Sequence, residues 1–164
     1  MFDASIRRAS LLYDVPEAWI RAVIQTESSF DPNAYRAEPQ INDASYGLMQ
    51  LLERTAPGLG FIGPVSDLYD PDINIDLGTM LLADLRARYG DDFRRIYSAY
   101  NSGRPDLYLT SSQVASNVAR AMAALERWTT AVIDVLPPLP PTGEGLGTLT
   151  GFLVLGALIW LLRR

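Results

Sequence analysis

The chemistry of this chain starts at Glu27. It closes a stretch, residues 15–30, in which Trp19, Ile20, Val23 and Ile24 recur on one helical face. Val23, Ile24 and Glu27 continue that face, so a carboxylate sits at the end of an apolar stripe. Ionising a carboxyl group against an apolar surface is costly, and its pKa is expected to rise. A raised pKa is what a general acid needs near neutral pH. The competing reading is a solvent-facing glutamate at a helix end with no chemical task.

Composition narrows what else is available. The chain has no Cys, no His and no Lys, and all 14 of its positive charges are Arg. A His-ligated zinc site, a Cys–His nucleophile pair and a Ser–His–Asp triad are therefore excluded. Catalysis has to come from carboxylates, hydroxyls, arginines or the backbone. Nothing points to a metal or an organic cofactor. Without cysteine, no disulfide reports a redox compartment. A net charge of −5 argues against nucleic acid as a partner, because that partner needs a basic face. The polar first ten residues are followed by no uncharged run, so no secretory signal is expected.

Helices must position Glu27. Residues 1–13 predict a first helix, with Phe2, Ile6, Ala9, Leu12 and Tyr13 on one face. Asp14-Val15-Pro16 separates it from the Glu27 helix, and Pro16 suits the first helical position. Residues 31–45, with Pro32 and Pro39, read as a polar loop. A short helix is expected over about 46–56, stopped by Pro57-Gly58, and 58–71 reads as loop. Residues 73–89 predict a strong helix with the stripe Ile73, Leu77, Met80, Leu81, Leu85 and Tyr89, ended by Gly90. Another helix is expected over 91–101, and a long last one over 111–136 with Val114, Val118, Met122, Leu125, Trp128 and Val132 inward. No alternating strand pattern appears, so the expected fold class is all-α.

The chain changes character after residue 136. Residues 137–148 form a Pro/Gly-rich linker, extended in its Pro half and flexible in its Gly half. Residues 145–162 carry no charge and are followed by Arg163-Arg164. As a helix this run is about 27 Å long, close to the roughly 30 Å of a hydrocarbon core. The expectation is a catalytic domain over 1–136, the linker, and a C-terminal transmembrane helix over 149–162. An apolar tail buried on the domain or in an oligomer seam is the alternative. The Arg pair favours the cytoplasmic side and leaves the domain on the other face. Gly147-x-x-x-Gly151 would let two such helices pack closely.

Three segments then align. Glu27-Ser28-Ser29-Phe30 ends an apolar helix, Tyr46-Gly47-Leu48-Met49-Gln50-Leu51 follows about twenty residues later, and Ala99-Tyr100-Asn101-Ser102-Gly103 closes the next helix pair. Tyr13-Asp14-Val15-Pro16 and Tyr69-Asp70-Pro71 followed by Asn74-Ile75-x-x-Gly78 fit the same order. Over about residues 5–128 this resembles the soluble lytic transglycosylase family, the goose-lysozyme-like branch of the lysozyme superfamily. The resemblance implies a lysozyme-like domain that cleaves the β-1,4 bond between N-acetylmuramic acid and N-acetylglucosamine in peptidoglycan. Glu27 would be the single catalytic acid and base, giving 1,6-anhydromuramoyl ends without water. One carboxylate then suffices, unlike the usual glycosidase pair. Asp31 and Asp43 are the nearest candidates for a second; a turn cap and a solvated loop are their competing readings.

The resemblance also implies a cleft lined by Ser28, Ser45, Tyr46, Gly47, Met49, Gln50, Tyr100 and Asn101. Gly47 would let the backbone pass close to the sugar and to Glu27. Met49 suits a cleft wall or the core. Gln50 offers donors and acceptors to an acetamido group. Tyr100 suits stacking on a sugar face, and Asn101 suits sugar binding or a helix cap. Ser28 either bonds near Glu27 or ends the helix. Arg36 and Arg104 could meet peptide carboxylates or stay solvated. Two departures stand out: Glu53 replaces a proline common in relatives, and Asn117 falls where the family often has a tyrosine reaching toward the catalytic glutamate.

The expected function is therefore a membrane-anchored peptidoglycan lytic transglycosylase facing the periplasmic wall. A phage virion or a secretion machine, with its proteins as partners, would be its setting. A hydrolysing muramidase and a structural wall-penetrating component with little activity are the alternatives.

Overall fold

Left-handed residues and side-chain caps punctuate the helices. Asp14 takes φ 53° and its N–H bonds to Ser10 O, ending α1 (Asp3–Tyr13). Pro16, expected at the first helical position, stands just outside α2 (Glu17–Glu27), which begins one residue later, and its carbonyl accepts from Trp19 and Ile20 N–H. Asp70 caps α3 (Pro71–Tyr89), its Oδ1 accepting from Asp72 N (2.9 Å) and Ile73 N (3.1 Å). Asp92 and Gly103 bracket α4 (Phe93–Ser102), and α5 (Ser112–Val135) follows. The computed structural model describes residues 2–135. The expected linker over 137–148 and membrane span over 149–162 lie outside the described residues, and no helix among the described residues is long and apolar enough to cross a membrane.

One core joins all five helices. Ile6 and Ala9 of α1, Ile20, Val23 and Ile24 of α2, Ile75 and Leu82 of α3, Phe93, Ile96 and Tyr97 of α4, and Val118, Ala121 and Ala124 of α5 pack together. A second, smaller cluster of Leu51, Ala56, Leu68 and Leu77 lies on the other side of α3. This explains why the α3 stripe differs from the expected one. Leu77 and Leu85 are buried, but so are Asn74, Ile75, Thr79 and Leu82, because α3 is covered on two faces. In α1, Leu12 is 63% exposed, contrary to expectation, since the buried face runs through Ile6 and Ala9.

The main correction is a small sheet. Residues expected as polar loop and short helix instead form three antiparallel strands in the order β1-β2-β3: β1 (Tyr35–Glu38), β2 (Asp43–Tyr46) and β3 (Leu51–Leu52). Tyr35 pairs with Tyr46, Glu38 with Asp43, and Ser45 with Leu52. The domain is mostly helical rather than all-α. Strands of four and two residues are too short to show alternation. The expected helix over 46–56 is absent because Gly47 (φ 71°) and Gln50 (φ 48°) turn the chain in left-handed conformations that no α-helix accommodates.

The Asp70 cap yields a simple expectation. Asp70→Ala removes the acceptor for two otherwise unpaired N–H groups at the start of α3 and should cost about 1 kcal/mol. Thermal or urea unfolding of the variant reads that loss directly.

Candidate active site

Glu27 is the last residue of α2, and the chain around it is tied on both sides. Ser28 N–H and Ser28 Oγ both bond to Ile24 O, so Ser28 ends the helix, the second of its two readings. Ser29 (φ 54°) and Phe30 (φ 67°) then reverse the chain through two successive left-handed residues. Phe30 packs edge-on against Trp128 of α5, with ring centroids 5.7 Å apart. The end of α2 is thereby pinned to α5.

The carboxyl group itself meets α4. Tyr97 Oη donates to Glu27 Oε1 at 2.7 Å. The Tyr97 ring stacks at 6.4 Å and 10° on that of Tyr100, whose hydroxyl donates to Met49 O at 2.7 Å. Burial pushes the Glu27 pKa above the ordinary carboxylate value. The Tyr97 hydrogen bond and the positive charges of Arg36 and Arg120 pull it back in part, while the charge of Glu38 adds to the rise.

The sheet supplies a second carboxylate that sequence reasoning missed. Glu38 of β1 accepts at Oε1 from Arg36 Nε (2.5 Å) and from Ser45 Oγ (3.3 Å). Arg36 thus lies on a strand rather than a loop and, though exposed to solvent, pairs with Glu38. The two carboxylates considered earlier have other tasks. Asp31 Oδ1 accepts from Asn33 N–H at 2.9 Å and closes a turn. Asp43 is not on a solvated loop; it begins β2, its side chain is 5% exposed, and Arg54 Nε donates to it at 2.7 Å. Burial works to raise the Asp43 pKa, but the hydrogen bonds from Arg54 and Ala44 N–H more than offset this and leave it lowered.

Asn74 of α3 organises the segment opposite. It is fully buried, and its amide is completely used: Oδ1 accepts from Met49 N–H (2.8 Å), and Nδ2 donates to Tyr46 O (2.9 Å) and Leu68 O (2.7 Å). The close approach at Gly47 is therefore to protein. A Cβ there would come within 2.5 Å of both Asn74 Nδ2 and Leu68 O. Met49 is in the core, its side chain filling the space that Gly78 leaves open. Gln50 Nε2 donates to Ala34 O (3.1 Å) and Gly47 O (3.2 Å), which braces the turn over 47–50.

The remaining expected cleft residues surround this turn. Ser45 is buried on Glu38, and Tyr46 packs edge-on between Tyr35 and Tyr69, each at 5.5 Å. Asn101 Oδ1 accepts from Asn117 Nδ2 at 3.0 Å, whereas Gly103 ends α4 through its N–H to Ala99 O. Asn117 also accepts from Gln113 and Arg120. Its amide is engaged there, and the tyrosine that touches Glu27 is Tyr97. The signal available in sequence was the spacing Phe93, Tyr97, Tyr100 on one face of α4.

Comparison with known proteins fits this arrangement. The profile of the family described as "Transglycosylase SLT domain" matches residues 4–122. The chain belongs to that family. The SLT domain here is 38% identical over 112 residues to the membrane-bound lytic murein transglycosylase C of Edwardsiella ictaluri, covering 60% of this chain and 30% of that protein. The protein of the same name from Photorhabdus laumondii is 31% identical over 159 residues, covering 88% and 39%. The chain thus spans between three and four tenths of the length of these relatives. Among solved structures, an inactive mutant of the lytic transglycosylase Slt from Pseudomonas aeruginosa superposes with a TM-score of 0.70 at 20% identity, covering 88% of this chain and 26% of the other. That likeness concerns the fold.

Proposed function

We propose that this SLT domain is a peptidoglycan lytic transglycosylase in which Glu27 acts first as acid and then as base. Glu27 donates its proton to the glycosidic oxygen between N-acetylmuramic acid and N-acetylglucosamine, and the bond from C1 to that oxygen breaks. The acetamido oxygen of the muramoyl residue supports the electron-poor C1. The Glu27 carboxylate then takes the proton of the muramoyl C6 hydroxyl, whose oxygen closes on C1. The product is a 1,6-anhydro end, and Glu27 is protonated again for the next turnover.

The observation that carries this reading is the half-buried Glu27 at the end of α2, one oxygen held by the Tyr97 hydroxyl at 2.7 Å, where burial pushes its pKa up. A raised acid is poised to donate near neutral pH. Membership of the SLT family and the names of its relatives supply the substrate class. Ser28, Ser45, Tyr46, Gly47, Met49, Gln50, Tyr100 and Asn101 are proposed to shape the sugar site, largely by holding the turn over 47–50 and the sheet. The relatives are described as membrane-bound. The uncharged run over 145–162 is the proposed tether here, with the domain facing the wall.

A hydrolysing muramidase is the second reading, and Glu38 is the observation that favours it. Glu38 is a carboxylate whose charge acts on Glu27, and a water-activating second carboxylate is what hydrolysis would need. Mass spectrometry of muropeptides released from purified sacculi by the full chain in detergent separates the two. Anhydro ends, one water lighter than hydrolysed ends, are expected. Predominantly reducing ends would transfer the reading to a muramidase. No release by a folded, wall-bound protein would remove the enzymatic reading.

A further inference from the structure

We propose that Tyr97 is the positioning residue of Glu27: its hydroxyl holds Oε1 and leaves Oε2 as the atom that carries the transferable proton. This rests on the reading of Glu27 as the acid. The hydrogen bond is 2.7 Å long and joins two elements far apart in sequence, α2 and α4.

Tyr97 is itself immobile. It is 1% exposed, and its ring lies between those of Phe93 (6.1 Å, 29°) and Tyr100 (6.4 Å, 10°). Tyr100, three residues further along the helix, donates its hydroxyl to Met49 O and ties α4 to the turn over 47–50. One helix therefore sets both the carboxyl group and the segment opposite it. Burial, reinforced by the neighbouring Glu27 charge, raises the Tyr97 pKa far beyond any working pH, so the hydroxyl remains a donor throughout.

A permanent donor on a carboxyl group favours the charged form over the neutral one. The bond to Tyr97 strengthens as Glu27 gives up its proton, so it stabilises the transition state of the acid step more than the ground state. The hydroxyl comes from α4 here, whereas the family resemblance places a tyrosine at position 117 on α5. Asn117 is held away from that task by its bonds to Asn101, Gln113 and Arg120.

The charged and titratable groups that act on Glu27 are Arg36 and Glu38 from β1, Arg120 from α5, and Tyr97 and Tyr100 from α4, and Tyr97→Phe alters one of them. The variant keeps the ring and its packing. On a defined soluble peptidoglycan strand, kcat should fall about tenfold or more while KM stays within about twofold. The alkaline limb of kcat against pH should move to higher pH, because losing the hydroxyl lets burial hold the proton on Glu27 longer. Replacing the tyrosines with 3-fluorotyrosine in the parent chain, which strengthens the donor without changing the packing, should move that limb the other way. An unshifted pH profile in both experiments, with any lost rate matching lost folded protein, overturns the role of Tyr97. An active Glu27→Gln variant would instead overturn the reading beneath it.

Discussion

Glu27→Gln is expected to abolish the release of muropeptides, with the rate falling about a thousandfold or more, while the circular dichroism spectrum should stay that of the parent. The magnitude follows from asking one group to donate a proton and then accept another, where each such role contributes about a hundredfold to ten-thousandfold. Glutamine keeps the shape of the side chain and still offers Tyr97 an oxygen, but has no proton to give. The same substitution has a stability consequence of opposite sense. The folded-state pKa of Glu27 is raised, chiefly by burial, so the folded state holds a proton that the unfolded chain has already lost. Stability then falls as pH rises from the ordinary carboxylate value toward the folded-state value, and the penalty persists above it. The glutamine variant is free of that penalty. Its melting temperature should equal or exceed that of the parent at pH 7, and the two should converge toward pH 4. A variant that melts lower at pH 7 would mean that Glu27 is stabilising rather than strained. Full wall cleavage by the folded variant would sink Glu27 as the acid.

Asn74→Ala is the largest expected structural loss. It leaves Met49 N–H and the carbonyls of Tyr46 and Leu68 without their partner. Unsatisfied buried polar groups cost about 1 to 3 kcal/mol each, so a total of about 4 kcal/mol is expected after some rearrangement. For a domain of this size that corresponds to a melting temperature lower by roughly 10–15 °C. Activity should suffer beyond the loss of folded protein, because the turn over 47–50 would no longer be held against Tyr100. Differential scanning calorimetry gives the first quantity, and muropeptide release normalised to folded protein the second. A melt within a few degrees of the parent would mean that water replaces the amide.

Glu27 was legible because its cause is local. Four apolar residues and a carboxylate on one helical face allow a strained acid, and the motifs over 46–51 and 99–103 decide for it against a solvent-facing glutamate. The end of α3 was legible for the same reason, because Gly90 acts through its own backbone, whereas the Asp70 cap at its start was not read from the sequence. The sheet was not. Its strands are held by pairing across a turn, and the information lies in Tyr35 meeting Tyr46 and Glu38 meeting Asp43 rather than in any periodicity along one segment.

The site shows the same division. The structure brings Gly47, Met49 and Tyr100, grouped above by the family resemblance, into one region, and each has a task within the protein itself. Gly47 clears Asn74 and Leu68, Met49 fills the core against Gly78, and the Tyr100 hydroxyl holds a backbone carbonyl. Asn74 reads in sequence as one polar position in a helix; only the approach of two loops to α3 makes it a three-way clamp. Tyr97 lies seventy residues from Glu27. Sequence alone determined that a carboxylate stands at the end of an apolar helical face, because that follows from side-chain type and spacing within α2. Tertiary structure alone decided which hydroxyl holds that acid, and that Glu38 rather than Asp31 or Asp43 is the second carboxylate whose charge reaches it, because contacts between α2, α4 and the sheet depend on how distant segments pack and leave no periodic trace in the chain.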